Sequence, residues 1–365
     1  MSSFLLLTPD FPPRRGGVAR YLDGVADALK DRVRVLAPPE PGAAKFDASA
    51  PYPIERAPLE FRFLWPRWLR AVRLLVERRE TYERVIVSHV LPFGTAALLA
   101  GLRTKAPYVV IAHGMDVALA ARSPWKRLLA GLVLRRADLV VANSRALKDE
   151  IRARFGAERV AYVHPAVTLG EKGMTAPPSS TSVRLLTVSR LVERKGHLRV
   201  LEALARLRER GEWPDGLSYT IVGGGPMAEA IERRVADLGL NDVVQLQRDI
   251  QDEVLPGLYR THDVFVMPTV AGGADREGFG IVYLEAAAFG LPSIATRQPG
   301  VDEAVLDGHT GLLVPDGNID ALAAAIRTLS TDAALRRTLG EAAQRRAQEE
   351  FSRERQAEKL HHLFP

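Results

Sequence analysis

GGADREGFGIVYLEAAAFG, residues 272–290, carries two carboxylates eight positions apart, Glu277 and Glu285, with a Gly-Phe-Gly turn between them and an apolar helical run behind it. A strand-like DVFVMPT (263–269) leads in, so the segment reads as strand, glycine loop and a helix opening near Gly280. The first backbone N–H groups of a helix lack partners inside it, and such an end suits a phosphate. Glu277 falls just before the helix, at the mouth of that anion site, and Glu285 lies more than a turn inside it. The two carboxylates then flank a diphosphate from opposite ends, as the hydroxyls of a sugar nucleotide require.

Outward from this segment, one pattern fills the chain. The first half alternates FLLLT (4–8), RVRVLA (32–37), RVIVSHV (84–90), YVVIAH (108–113), DLVVANS (138–144) and RVAYV (159–163) with helix-length stretches at 18–30, 95–102 and 146–155. The second half restarts with VRLLTVS (183–189), then LSYTIVG, VVQLQ, DVFVMPT and LPSIAT, with helices expected at 196–210 and 226–238. Such alternation means parallel sheets covered by helices on both faces. Residues 170–182, GEKGMTAPPSSTS, break every period and read as a linker. The expectation is an α/β protein of two doubly wound Rossmann-like domains, 1–169 and 183–348, followed by a helix within 349–365. Open parallel sheets take ligands outside their strand carboxyl ends, so two such domains facing across a cleft would place the site there.

The 365 residues carry no cysteine, which excludes disulfides, thiolate metal sites and cysteine nucleophiles and agrees with a reducing compartment. The apolar run at 4–7 is too short for a signal core, and no stretch approaches the roughly 18 apolar residues of a spanning helix. A cytoplasmic protein is expected. Residues 1–170 hold 27 Lys and Arg against 16 Asp and Glu, or +11, and the remainder is −5, which together give the net +6. A basic half admits nucleic acid, an anionic membrane or an acidic acceptor as partner, and an ordinary solvated surface as well.

Arg190 and Lys195 follow the strand LLTVS and precede a helix, on the same strand-end edge as Gly280. Two cations and helix N–H groups can neutralise a leaving diphosphate, and the chain contains no Asp-x-Asp of the metal-chelating kind. The alternative for the cations is a surface ion pair. Paired carboxylates also suit a glycosidase, but that leaves Arg190 and Lys195 unexplained. His113 ends a strand in His-Gly-Met-Asp, and Gly16-Gly17 close a Pro-rich loop before the first helix, where backbone can approach a phosphate. Gly223, Gly225 and Ala228 satisfy a G-x-G-x-x-A, with Asp242 downstream, yet Pro226 and the triple glycine suit a plain strand-to-helix turn.

Taken together, the E-x7-E of Glu277 and Glu285, Gly16-Gly17, HGMD, SRLVERKG (189–196) and EAVLDGHTGLLVP (303–315) resemble, in content and order, the retaining glycosyltransferases of the GT-B fold, family 4-like. The opening TPDFPPRRGGVARYL is similar to phosphatidylinositol mannosyltransferase-like members. The resemblance implies a metal-independent hexosyl transfer from a nucleotide diphosphate sugar, with no other cofactor, to a glycan or lipid-linked acceptor. It implies that Glu285 binds the ribose hydroxyls and Glu277 those of the sugar. The backbone of Phe279, Gly280 and Ile281 would hold the phosphates, and Arg248 and Ile250 would stand in the nucleobase loop. His113 would contact the sugar, with Asp116, Arg14 and Tyr21 on the acceptor side. In the family the last helix crosses back to the first domain, and Arg353 stands where an aromatic is common. A sugar-nucleotide epimerase and a non-catalytic binding protein stay open as alternatives.

One stretch falls outside these motifs. FRFLWPRWLRAVRLLVERR (61–79) interleaves aromatics with arginines, and Leu69, Val72, Leu75 and Val76 form a stripe. It reads equally as a core helix or as an element lying on an anionic membrane through Trp65, Arg67, Trp68, Arg70 and Arg73. Single-stranded nucleic acid would use similar residues, but no nucleic-acid motif accompanies them, and no nucleic-acid partner is expected.

Overall fold

A computed structural model describes residues 2–167, 182–248, 250–270 and 277–365. The linker at 170–182 lies outside them except for Ser182, as do most of the glycine loop before Glu277 and Asp249 in the nucleobase loop. The chain divides into two compact units, residues 1–166 with 353–365, and residues 167–352.

The first unit runs β1 (Ser2–Leu7), α1 (Gly17–Ala28), β2 (Val33–Ala37), α2 (Ala43–Ser49), β3 (Ile54–Arg56), α3 (Leu69–Glu77), β4 (Tyr82–Ser88), α4 (Thr95–Thr104), β5 (Tyr108–Ala112), α5 (Met115–Ala121), α6 (Pro124–Arg136), β6 (Leu139–Ala142), α7 (Arg145–Phe155) and β7 (Val160–Tyr162). Its seven strands are all parallel, in the order β3-β2-β1-β4-β5-β6-β7. Successive strand side chains face opposite ways. Leu5 and Leu7 join the core built with α3, α4, α6 and α7, while the Phe4 ring meets Phe364 edge-on at 5.4 Å. A strand buried on both faces is therefore written as an unbroken apolar run.

The second unit runs β8 (Arg184–Val188), α8 (His197–Glu209), β9 (Ser218–Val222), α9 (Ala228–Asp237), β10 (Val244–Gln247), α10 (Leu255–Thr261), β11 (Val264–Met267), α11 (Ile281–Ala288), β12 (Ser293–Thr296), α12 (Val301–Ala304), β13 (Gly311–Val314), α13 (Ile319–Thr331) and α14 (Ala333–Glu350). The sheet is parallel, ordered β10-β9-β8-β11-β12-β13. Both sheets reverse direction beside their first strand, at β1/β4 and at β8/β11, and in open parallel sheets ligands bind at the carboxyl ends of that switch point.

The last helix, α15 (Arg353–Leu363), packs on α1 within the first unit. Arg353 reaches Asp23 at 3.1 Å and Asp27 at 3.5 Å, so an ion-pair fork ties α15 to α1 where the resemblance leads one to expect an aromatic. Gln356 donates to the His164 carbonyl at 3.1 Å, and Arg32 to the carbonyls of Phe364 and Pro365 at 3.0 and 2.7 Å.

Candidate active site

In the second unit the candidate side chains gather where β8 and β11 end. After β8 the chain makes a short turn at 193–195 and enters α8 through Gly196. The turn sets Lys195 and Arg194 on one carboxylate: Glu277 Oε2 lies 2.5 Å from Lys195 Nζ and 2.7 Å from an Arg194 guanidinium nitrogen. The side chains of Glu277, Lys195 and Arg194 are 13 %, 9 % and 15 % exposed. Burial pushes the Glu277 carboxyl upward, but Lys195 and Arg194 outweigh it and hold the group at about 2. Arg194 is the residue that motif reading missed. Its only sequence signal is its place beside Lys195 in a cation-rich loop.

Arg190, by contrast, is exposed and, among the described residues, takes no ion pair. Gly280 adopts φ +85 at the start of α11, which no side chain caps. A Cβ there would fall 2.5 Å from the Tyr283 ring, whose hydroxyl donates to the Met267 carbonyl at 2.6 Å. The helix start is thus pinned to the end of β11. Phe279 is buried with its ring edge-on to Phe351 at 5.9 Å. One turn on, Glu285 accepts from the Tyr259 hydroxyl at 3.0 Å, and the Tyr259 ring stacks on Phe289 at 5.4 Å.

Other expected positions take up structural contacts. Arg248 pairs with Glu232 at 2.6 Å, and Ile250 packs on the core beneath α10 and α11. The glycines of 223–225 act as scaffold, since a Cβ on Gly223 would lie 1.9 Å from the Ser189 carbonyl and one on Gly225 2.5 Å from that of Leu191. Buried His197 holds Ser189 Oγ at 3.1 Å, and burial pushes its pKa down to about 4.

In the first unit His113 is buried at the end of β5, with Nε2 at 3.0 Å from Ser88 Oγ. Ser88 in turn meets His89 Nδ1 at 2.9 Å, and His89 Nε2 lies 3.5 Å from Asp10, which pairs with Arg14 at 2.9 Å. Asp10, Ser88 and His89, at the ends of β1 and β4, are thus joined to His113 at the sheet's switch point. His89 holds φ +76, an uncommon conformation for a non-glycine residue. Asp116 directs both oxygens to backbone, accepting from His113 N at 2.9 Å and Val90 N at 3.0 Å, and Tyr21 donates to the Val163 carbonyl at 3.0 Å while meeting the His113 ring edge-on. Both therefore shape the His113 loop. Gly16 has φ +149 with nothing within 4 Å of a Cβ, and Gly17 opens α1.

Burial, then His89, push the His113 imidazole down to about 3 against the pull of Asp116, so it is neutral near pH 7. The folded value lies below the ordinary 6.5, so the unfolded chain takes up the proton first as pH falls. Stability contributed by His113 is complete above pH 6.5 and is lost progressively toward pH 3, by about 1.4 kcal/mol per pH unit. His113→Gln is expected to flatten that slope between pH 6 and about 4, measured by urea unfolding. An unchanged slope would place the uptake on other groups.

The stretch 61–79 divides. Residues 69–77 form core helix α3, with Val72 and Leu75 buried. Trp68 packs against that core, Arg70 is half-buried near the Phe61 ring, and Arg73 pairs with Glu77 at 2.6 Å. Trp65, 85 % exposed, and Arg67 remain at the surface.

Two parallel doubly wound sheets, each with its candidate site residues at the strand carboxyl ends, are the arrangement of the GT-B class. Solved structures agree: HepE from Anabaena in complex with UDP superposes over 100 % of this chain and 99 % of its own with TM-score 0.84 at 21 % identity, and sucrose-phosphate synthase from Thermosynechococcus elongatus over 99 % and 98 % with TM-score 0.79 at 22 % identity. Residues 15–171 match the family model Glycosyltransferase Family 4, and residues 176–346 match Glycosyl transferases group 1. A GDP-mannose-dependent alpha-(1-6)-phosphatidylinositol monomannoside mannosyltransferase of Mycolicibacterium smegmatis is 34 % identical over 90 % of this chain and 89 % of its own. Its counterpart from Mycobacterium tuberculosis is 32 % identical over 91 % and 90 %. The chain belongs to the family 4, group 1 glycosyltransferases.

Proposed function

We propose that this glycosyltransferase moves a hexose, with retention and without a metal ion, from a GDP- or UDP-linked sugar to a hydroxyl of a bacterial envelope glycan or lipid-linked precursor. The observation that carries this reading is the Glu277, Lys195 and Arg194 triad beside the uncapped start of α11. In use, Arg190, Lys195 and the N–H groups of Phe279, Gly280 and Ile281 hold the departing diphosphate. Glu277 orients the sugar hydroxyls, and Glu285, braced by Tyr259, takes the ribose hydroxyls. The loop of Arg248 and Ile250 lies against the nucleobase, and His113 meets the sugar as a neutral imidazole.

A carboxylate held by two cations is a weak nucleophile. This supports departure and attack on one face of the sugar with no covalent intermediate, and a trapped glycosyl-enzyme adduct would contradict it. The relatives quoted are named as transferases, and the epimerase and binding-protein readings are set aside. Among the described residues no helix is long and apolar enough to cross a membrane. We place the enzyme in the cytoplasm, meeting a lipid-linked acceptor at the membrane surface.

The test is thermal unfolding with UDP, GDP, ADP and their hexose conjugates, on the wild type and Glu285→Ala. A ligand at a hundredfold its dissociation constant stabilises by about 2.7 kcal/mol. Loss of hydrogen bonds to a charged group costs about 1.5–3 kcal/mol, so the variant is expected to bind roughly 10- to 100-fold more weakly and lose about half or more of the shift. No response to any base would remove the donor site.

A further inference from the structure

Helix α6 lacks the one-sided pattern of a surface helix. Ala130, Val133 and Leu134 are buried, yet Trp125, Leu128 and Leu132, spaced three and four apart and so on one stripe, are 63 %, 72 % and 39 % exposed. Residues 117–137 carry five cations, Arg122, Lys126, Arg127, Arg135 and Arg136, and no carboxylate. Lys126 and Arg127 sit in the first turn, where the helix's own field disfavours positive charge. Among the described residues Arg122 and Arg127 take no ion pair. An anion outside the chain would relieve both mismatches. Beside this stripe, Arg122, Arg127, Leu128, Arg135 and Phe155 are among the residues lining a groove of ≈ 410 Å³, a mix of cationic and apolar side chains.

Topology joins this stripe to a second one. Helices α3 and α6 each return the chain from a strand's carboxyl end to the amino end of the next parallel strand, so both begin at the same end of the layer, packed on either side of α4. Just before α3, Phe63, Leu64 and Trp65 are 89 %, 53 % and 85 % exposed, beside Arg62 and Arg67. Two aromatic and cationic clusters therefore stand at one end of one helical layer, the end where β5 delivers His113.

We propose that this end of the first unit, centred on Trp125, Leu128 and Trp65, is a docking face for an anionic lipid bilayer. The tryptophans and leucines enter the interface, where amphipathic rings are favoured, and Arg62, Arg67, Arg122, Lys126 and Arg127 take lipid phosphates. The charge pattern selects this occupant, since an end that gathers Arg62, Arg67, Arg122, Lys126 and Arg127 repels a second copy of itself. The proposal rests on the reading of a membrane-presented acceptor and sharpens it, because docking would bring lipid headgroups to the strand ends that carry His113.

The experiment is flotation of the full chain with phosphatidylcholine vesicles, with and without about a third phosphatidylglycerol. Binding is expected only with the anionic lipid and is expected to fall with salt. Each basic residue near such a surface contributes about fivefold in affinity, so Arg122→Ala with Arg127→Ala is expected to weaken binding about 25-fold. Trp125→Ser with Leu128→Ser should reduce it comparably. Leu102→Ser, an exposed leucine at the far end of α4, should leave binding intact. Absence of binding by the wild type, equal loss in Leu102→Ser, or a wild-type dimer that Trp125→Ser dissociates would each overturn the proposal. Binding is read without donor or acceptor, so failure here is distinct from failure of the transferase reading.

Discussion

Glu277→Gln is expected to abolish sugar transfer while leaving nucleoside diphosphate binding in place. The carboxylate is the partner of both Lys195 and Arg194, and a neutral amide leaves those partly buried cations uncompensated. Breaking such a pair costs about 3 kcal/mol. Proton linkage gives a similar size. A carboxyl lowered from 4.5 to about 2 contributes roughly 3 kcal/mol at neutral pH, present above pH 4.5 and lost as pH falls toward 2. The second unit should therefore melt about 6–12 °C lower, and the variant should lack the acid-induced loss of stability below pH 4.5. A side chain that orients the sugar in the transition state is worth about 100- to 1,000-fold in kcat, so transfer should fall at least that far. The diphosphate should bind as well or more tightly, because the cations it needs are released from Glu277. Loss of transfer and nucleotide binding together would show a structural role only.

Gly196→Ala is expected to be strongly destabilising. Gly196 holds φ +74 where the β8 loop crosses the end of β11, and a Cβ there would lie 2.0 Å from the Pro268 carbonyl oxygen. Backbone meets backbone, so no rotamer change relieves the clash. Gly211, past the end of α8, holds φ +64 with nothing within 4 Å of a Cβ. Gly211→Ala therefore carries only the conformational cost of about 1 kcal/mol. Gly196→Ala adds steric strain, for a total expected above about 3 kcal/mol. Urea unfolding of both variants separates the two contributions. Equal destabilisation would mean that the contact with Pro268 is easily relaxed. If the Gly196→Ala variant folds, displacement of Lys195 should weaken its response to nucleoside diphosphates, which Gly211→Ala should leave unchanged.

Much of the site can be read in one dimension because its parts are local. A strand, a glycine turn and a helix start are consecutive residues, so a helix opening at Gly280, with Glu277 before it and Glu285 within it, follows from spacing alone. Arg194 is not legible in that way. It meets Glu277 across 83 positions of sequence, and nothing in a periodic pattern records which of three neighbouring cations will reach a distant carboxylate. The same limit applies to Asp116 and Tyr21, whose polar atoms are used by backbone groups of the loops around them.

Amphipathic helices announce themselves by a one-sided stripe, and α6 escapes that reading because its apolar residues lie on two faces. The arginine-rich stretch before β4 has two readings for a related reason. Composition cannot distinguish apolar residues packed inward from those left in solvent, and the fold assigns one part of the stretch to each.

The sequence by itself determined the alternation of strands and helices, hence two parallel doubly wound sheets, and the placement of charged residues after strands, hence at the carboxyl ends. Those follow from short-range sterics and hydrophobic period. Only the tertiary structure decided which charges are paired and which are open: Lys195 and Arg194 on Glu277, Arg353 on Asp23 and Asp27, and Arg190 exposed without an ion pair among the described residues. Ion pairing depends on distances of a few ångströms between segments far apart in sequence, and those distances exist only once both sheets have closed their cores.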